Sequence, residues 1–422
     1  MAKASAPTRQ PDPARKLAAA LLACVAQGRM LDEGAEASDA PPEIRARAQR
    51  LAAQTLRHQS RADQFLDPHL QRPPPAKVRA VLRLAVVEHH ALGAPAHAVV
   101  DAAVTLLQAD RKLRHFAGLA NAVLRKAVAA EGWDALPPPR LPGWIRKPLL
   151  GAHGKAAVVA IEAAHMAGAP LDLTLKPGAD PAPLLAAGAE ALPGGSLRLQ
   201  AGAQVSALPG YDAGDFWVQD AAAAQPARAL LAAIPPGAPV LDLCAAPGGK
   251  TLQLAAAGAP VTAVDVSARR LERLRANLAR TGLQAKVIAA DLMDWAPPGP
   301  VPAILLDAPC TATGTIRRHP ELPHIRRPAD LTQLGALQAA LIDRAAGWLA
   351  PGGVLAICTC SLLPAEGEEM IAAALTRHPG LQPLPLNLPL GRASGPGWRS
   401  RPDDLAAQGG LDGFYLSLLR LG

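Results

Sequence analysis

The residues best equipped for chemistry lie in three stretches in the second half of a 422-residue chain. Two of them, "LLDAPCTATGTIRRHPE" (305–321) and "ICTCSLLPAEGEE" (357–369), begin at the end of a strand-like apolar run, and each presents a cysteine, Cys310 and Cys360. The third, "DLCAAPGGKT" (242–251), closes on Gly249, Lys250 and Thr251 as a phosphate-binding loop does, but Cys244 stands where that pattern requires its first glycine. A lone cysteine at a strand end is usually structural. Two of them, one flanked by Asp307 and Pro309 and the other by Thr359 and Ser361, are a stronger signal.

Acidic residues decide what the loop can hold. Asp242, Asp265, Asp291 and Asp307 each fall at the end of a short apolar run. Asp265 follows the loop by a little over twenty residues, the spacing at which an acid accepts hydrogen bonds from ribose hydroxyls. Asp291 is placed for an adenine edge. The small residues of Ala245-Ala246-Pro247-Gly248-Gly249 allow close approach of backbone to ligand. S-adenosylmethionine fits this set, because it has an adenosine and no phosphates and so needs neither P-loop geometry nor Mg²⁺.

The cysteines suggest where a methyl group would go. Carbon 5 of cytosine is a poor nucleophile until a thiolate adds to carbon 6 and turns the ring into an enamine. An acid beside the ring nitrogen stabilises the charge that develops, and Asp307 is placed for this. A second thiol can assist release once the carbon 5 proton has left. A transferase acting on an exocyclic amine needs no thiol and would carry an Asn/Asp-Pro-Pro-aromatic loop, which "DAPC" is not.

These stretches must be positioned by a regular scaffold. From residue 225 onward short strands, "PVLDL", "PVTAVD", "AKVIAAD", "AILLD" and "GVLAICT", alternate with helical segments around 251–257, 268–280, 331–349 and 365–377. That alternation predicts a parallel, doubly wound Rossmann-like sheet whose ligands bind beyond the carboxyl ends of its strands. Residues 1–130 read instead as an all-α bundle of amphipathic helices with short Pro/Gly joints. Residues 131–149, centred on "DALPPPRLPGWIRKP", read as a proline-rich linker. Residues 150–224 read as a small α+β subdomain, with a helix over 155–167 and strand-like "LDLTL" and "SLRLQ".

Composition narrows the rest. The net charge of +8 suits a polyanionic partner, and Arg45, Arg47, Arg50, Arg57, Arg61, Lys77, Arg79 and Arg83 recur on the helices. They make either an RNA-facing surface or an ordinary solvated face. Five cysteines without a CxxC argue against disulfides and metal, and for the cytoplasm. The run "LAAALLACVA" before and around Cys24 looks like an export signal, but Asp12 and two prolines precede it and its length suits an amphipathic helix. No stretch reaches the roughly 18 apolar residues of a membrane span.

"LDLCAAPGGKT", "VDVSARRLERLRANL", "ILLDAPCTATGTIRRHPE" and "TCSLLPAEGEE" closely resemble the bacterial 16S ribosomal RNA cytosine-5 methyltransferase B family. "VRAVLRLAVVEHHALGAPAHAVVDAAVTLL" and "FAGLANAVLRK" resemble the NusB-type RNA-binding domain fused to those enzymes. The resemblance implies a class I S-adenosylmethionine-dependent enzyme acting on RNA, a monomer with no metal. By position it makes Cys360 the nucleophile and gives Cys310 the release role. It assigns residues 244–250, Asp265, Asp291 and Asp307 to the cofactor site, with Lys250 pointing into the active site. Arg317, Arg318, Arg326 and Arg327 follow Cys310 and are candidate phosphate contacts at the cleft mouth. Three departures stand out. Thr311 replaces a usual serine, and Cys358 is an extra thiol on the strand face of Cys360. Lys176 stands where the family's subdomain carries an Arg-x-Asn strand. The same chemistry on transfer RNA or another RNA, and a non-catalytic RNA-binding or assembly factor, remain the alternatives.

Overall fold

The computed structural model describes residues 10–36 and 38–422; the first nine residues of the expected helical domain lie outside the described residues. The chain divides into two units: residues 1–142 together with 319–326, and residues 143–318 together with 327–422.

The first unit is helical, as its periodicity predicts: α1 (Pro13–Val25), α2 (Leu31–Glu36), α3 (Pro42–Arg57), α4 (Gln59–Leu66), α5 (Ala76–His90), α6 (Ala96–Ala109) and α7 (Ala117–Ala129). Asp12 caps α1 by accepting the Arg15 amide at 3.0 Å, one of the donors a helix start leaves without a partner. Pro41, Pro75 and Pro95 precede α3, α5 and α6 and stop the chain from continuing as one helix. The apolar run around Cys24 is a core face: Ala18, Leu21, Leu22 and Val25 pack with Leu51, Leu56 and Leu84. Among the described residues no helix is long and apolar enough to cross a membrane. The helix arginines are partly structural. Arg61 is buried and donates to the Trp133 carbonyl, while Arg79 and Arg83 both pair with Asp63.

The second unit opens with α8 (Gly143–Ala167), interrupted at Gly154, whose φ of +79° breaks the helix into two. Residues 143–149 are therefore helical, and the expected linker ends at Pro142. An antiparallel sheet follows, in the order β2-β3-β1-β4, built from β1 (Leu171–Leu175), β2 (Glu190–Ala191), β3 (Ser196–Leu199) and β4 (Phe216–Val218), with the short α9 (Ala182–Ala186) between β1 and β2. Lys176 donates to the Thr281 carbonyl at 2.9 Å.

After α10 (Gln225–Ala233) come β5 (Val240–Leu243), α11 (Gly249–Ala256), β6 (Val261–Asp265), α12 (Ala268–Thr281), β7 (Lys286–Ala289) and β8 (Val301–Asp307). A single turn, α13 (Leu322–Ile325), belongs to the first unit. Then follow α14 (Pro328–Gly347), β9 (Leu349–Thr359), α15 (Glu368–Arg377), β10 (Leu381–Pro383), β11 (Arg392–Ser394), β12 (Gly397–Ser400) and β13 (Phe414–Leu421). The large sheet runs β11-β12-β13-β9-β8-β5-β6-β7, with β10 on β13. Strands β5 to β9 are mutually parallel; β10 to β13 are antiparallel and were not among the expected strands.

Alternation along the parallel strands buries both faces. Val240, Ala303, Leu305, Val354 and Ala356 pack under α10 and α11. Leu241, Leu243, Ile304, Leu306, Leu355 and Ile357 pack under α14 and α15. Chain order reverses between β5 and β8, which opens a crevice beyond their carboxyl ends.

Candidate active site

The glycine-rich loop leaves β5 at Cys244, a left-handed residue (φ +58°), and enters α11 through Gly248 (φ +106°). A Cβ on Gly248 would run into the Leu274 side chain of α12, so the loop lies flat against that helix. Asp265, buried at the end of β6, accepts the Ala246 amide at 3.0 Å and the Ser267 amide at 2.8 Å. Arg270 donates to the Ala246 carbonyl. One carboxylate thus ties the loop to the start of α12. Asp291 lies two residues past β7, exposed, and caps its own turn through the Met293 amide at 2.9 Å.

Lys250 reaches back across the crevice. Its ammonium meets Asp307 at 2.7 Å and sits 5.2 Å over the Phe414 ring. Burial works against its charge, but Asp307 and its hydrogen bond outweigh that and hold its pKa above the ordinary value. The lysine is committed to a carboxylate. Asp242 is buried below, accepts the Thr251 hydroxyl at 2.5 Å and keeps its other oxygen without a partner. Burial raises its pKa to about 7. A set of acids at the ends of β6, β7 and β8, Asp265, Asp291 and Asp307, above the buried Asp242 and with Lys250 already paired, disfavours phosphates. It suits a ligand with ribose hydroxyls and a positive sulfonium, so these residues fit S-adenosylmethionine. Among the described residues no cluster of His, Cys, Asp or Glu could hold a metal ion.

The two signal cysteines meet. Cys310 Sγ and Cys360 Sγ lie 3.5 Å apart. Cys310 is buried and Cys360 half-buried. The hydrogen bond to Cys360, then burial, push the Cys310 pKa well up, so this sulfur stays a thiol. Cys358 is fully buried and turns to Asp307 at 3.4 Å; its pKa too is well raised, chiefly by burial. Burial likewise raises Cys244 to about 12. Cys358 and Cys360 therefore serve different partners, although they are two residues apart.

The loops carrying the two cysteines are stitched together. Gly314 donates its amide to the Cys360 carbonyl at 2.9 Å, and Leu362 donates its amide to the Thr313 hydroxyl at 2.9 Å. Gly314 also faces Gly413 backbone to backbone, accepting the Gly413 amide at 2.8 Å; a Cβ on Gly314 would overlap the Gly413 carbonyl.

Two of the four arginines expected at the cleft mouth are in fact internal. Arg317 is fully buried; it donates to Asp412 at 2.6 Å, Asp220 at 2.7 Å and the Gly409 carbonyl at 2.6 Å. Arg318 spends its guanidinium on Asp412, Asp220 and the Pro170 carbonyl. Burial opposes the Asp220 charge, but Arg318 and Arg317 outweigh it and hold the carboxyl well below its ordinary range. Both guanidiniums are thus directed at internal carboxylates and carbonyls. Arg326 is half-buried in the first unit, and Arg327 is exposed at the start of α14. Sequence reasoning missed Asp220, Glu366, Gln338, Asp412 and Phe414. Glu366 lies inside the Cys360 motif but without a pattern that assigns it a role, and the others are isolated polar or aromatic residues; what unites them is contact with the three motif loops and their flanks.

A family model described as "16S rRNA methyltransferase RsmB/F" matches residues 229–420, and one for the NusB family matches residues 12–129. "Ribosomal RNA small subunit methyltransferase B" of Xanthomonas campestris is 38% identical over 96% of this chain and 97% of its own. The protein of the same name from Thermus thermophilus is 36% identical over 96% of this chain and 97% of its own. Among solved structures, that of PH0851 covers 98% of this chain and 100% of its own with a TM-score of 0.74 at 22% identity. A methyltransferase homolog from Pyrococcus horikoshii covers 67% of this chain and 100% of its own, with a TM-score of 0.55 at 26% identity.

Proposed function

The chain belongs to the RsmB/F family of 16S rRNA methyltransferases, S-adenosylmethionine-dependent enzymes, and on that premise we propose that it methylates carbon 5 of a cytosine in 16S ribosomal RNA through a transient bond from Cys360 to carbon 6. The observation that carries this reading is the 3.5 Å approach of the Cys310 and Cys360 sulfurs at the carboxyl ends of β8 and β9, next to the Lys250–Asp307 pair.

When bound, S-adenosylmethionine supplies an electrophilic methyl group; the residues of the chain do the rest. Cys360, the more exposed sulfur, adds to carbon 6. Negative charge builds at the ring nitrogen as that bond forms; Asp307 faces that nitrogen, and the Lys250 ammonium bonded to it supplies the positive charge that offsets it. After methyl transfer the carbon 5 proton passes to solvent water, and the Cys360–carbon 6 bond breaks with its electron pair returning to the Cys360 sulfur. Cys310, a thiol 3.5 Å away, donates its S–H to that departing thiolate. Cys358 donates to Asp307.

The two cysteines fail in opposite ways on this mechanism. Cys360→Ala abolishes methylation and leaves no protein–RNA adduct. Cys310→Ala accumulates an adduct, visible as a retarded band on a denaturing gel that RNase collapses. Exchanged phenotypes make Cys310 the nucleophile. Bisulfite sequencing of 16S RNA from a strain lacking the protein locates the base; 16S RNA with every modified cytosine retained shifts the substrate to another RNA.

A further inference from the structure

Glu366 is fully buried and takes no part in the steps above. One carboxylate oxygen accepts the Thr311 amide at 2.8 Å and the Gln338 side-chain amide at 3.1 Å; the other accepts the Thr311 hydroxyl. Gln338 also donates to the Pro309 carbonyl at 2.9 Å. Cys310 is thus gripped on both sides, at Pro309 and at Thr311, by two side chains bonded to each other. The Glu366 carbonyl in turn accepts the hydroxyl of Thr359, the residue before Cys360, at 2.7 Å.

These hydrogen-bonding partners are all neutral. Leaving a buried carboxylate with neutral donors alone is expensive. The other stitches between the two loops act at residues 308, 313 and 314, two residues before Cys310 and three and four beyond it. The residues adjacent to Cys310 are held by Glu366, at Thr311, and by its partner Gln338, at Pro309.

We propose that Glu366 is a positioning residue: it fixes Cys310 against Cys360, so that the second thiol is in place when the bond from Cys360 to the base must break. This rests on the covalent mechanism above. The Glu366 charge also opposes a thiolate at Cys310, which keeps the proton on the sulfur that assists release.

The test follows adduct formation and decay in a single turnover of the full chain, using Glu366→Gln, Cys310→Ala and the double variant. Glutamine keeps the size and one acceptor but loses the charge and the second acceptor. Glu366→Gln should slow release about tenfold to about a hundredfold, the cost of a small misplacement, with adduct formation and S-adenosylmethionine affinity unchanged. In the Cys310→Ala background it should add nothing, because both changes remove the same thiol from action. A full additional slowing there, or wild-type release by Glu366→Gln, overturns the assignment. If Glu366→Gln does not fold, Thr311→Val removes the hydroxyl partner alone. It should show the same release-selective, non-additive defect, and its absence is equally decisive. An adduct-free Cys310→Ala brings down the covalent mechanism and this inference together; additivity brings down Glu366 alone.

Discussion

The large sheet has two halves with different tasks. Its parallel strands end in the reacting groups: the loop after β5, Asp265 after β6, Asp307 and Cys310 after β8, Cys360 after β9. The antiparallel flank, β10 to β13, contributes no nucleophile or acid to the crevice. It braces the loops that do. Asp412, before β13, takes both arginines of the Cys310 loop. Arg399 of β12, fully buried, donates to the Ser361 carbonyl at 2.8 Å and pairs with Glu368 at 2.6 Å. Phe414 lies under Lys250. Chemistry comes from the half whose strand ends open to solvent, and rigidity from the half that packs behind it.

This contrast can be broken at single residues. The largest effect is expected from the bracing side. Asp412→Ala leaves Arg317 and Arg318 short of a buried partner and should destabilise the fold by about 3–5 kcal/mol in denaturant melts, while the folded fraction still binds S-adenosylmethionine. Unchanged stability would dissolve the distinction.

Asp265→Ala should show the reverse pattern. Each charge-assisted hydrogen bond lost is worth about 1.5–3 kcal/mol, so affinity for S-adenosylmethionine should fall well over tenfold by calorimetry, and stability less. Retained affinity removes Asp265 from the ribose role, leaving it only as the tie between the loop and α12.

A smaller, pH-dependent effect belongs to Asp242. Its folded pKa of about 7 lies above the roughly 3.9 of an unfolded aspartate. The folded state therefore holds an extra proton between those values, and the stability that proton provides is lost as pH rises through about 7. Asp242→Asn cannot titrate and still accepts the Thr251 hydroxyl. From about pH 5 to about pH 8 the wild-type Tm should fall relative to the variant. Parallel profiles would mean the carboxyl is charged throughout.

The parallel half was legible because its pattern is redundant: short apolar strands, acids at their ends, helices between. The flank was not. Residues 381–413 are crowded with Pro and Gly, which breaks any strand alternation, and β10, β11 and β12 are only three or four residues long. β10 and β12 exist because β13 offers an edge, and β11 because β12 extends it, which no local sequence announces. The reacting cysteines were legible from type and setting. Their supports were not, because Glu366 and Asp412 act through partners 55 and 95 positions away in the chain. The same blindness misread Arg317 and Arg318: a charged pair beside a motif looks like a ligand grip until its carboxylates are found indoors.

Gly314 and Gly413 touch across the two halves, main chain against main chain. For variation this contact is a fixed point. An oversized side chain elsewhere in the site can be accommodated by trimming a neighbour, but at Gly314 the obstruction is the Gly413 peptide, and trimming has nothing to act on. Substrate preference can drift through every side chain around the crevice while Gly314 stays bare, so the routes by which the site can evolve run around this position and not through it.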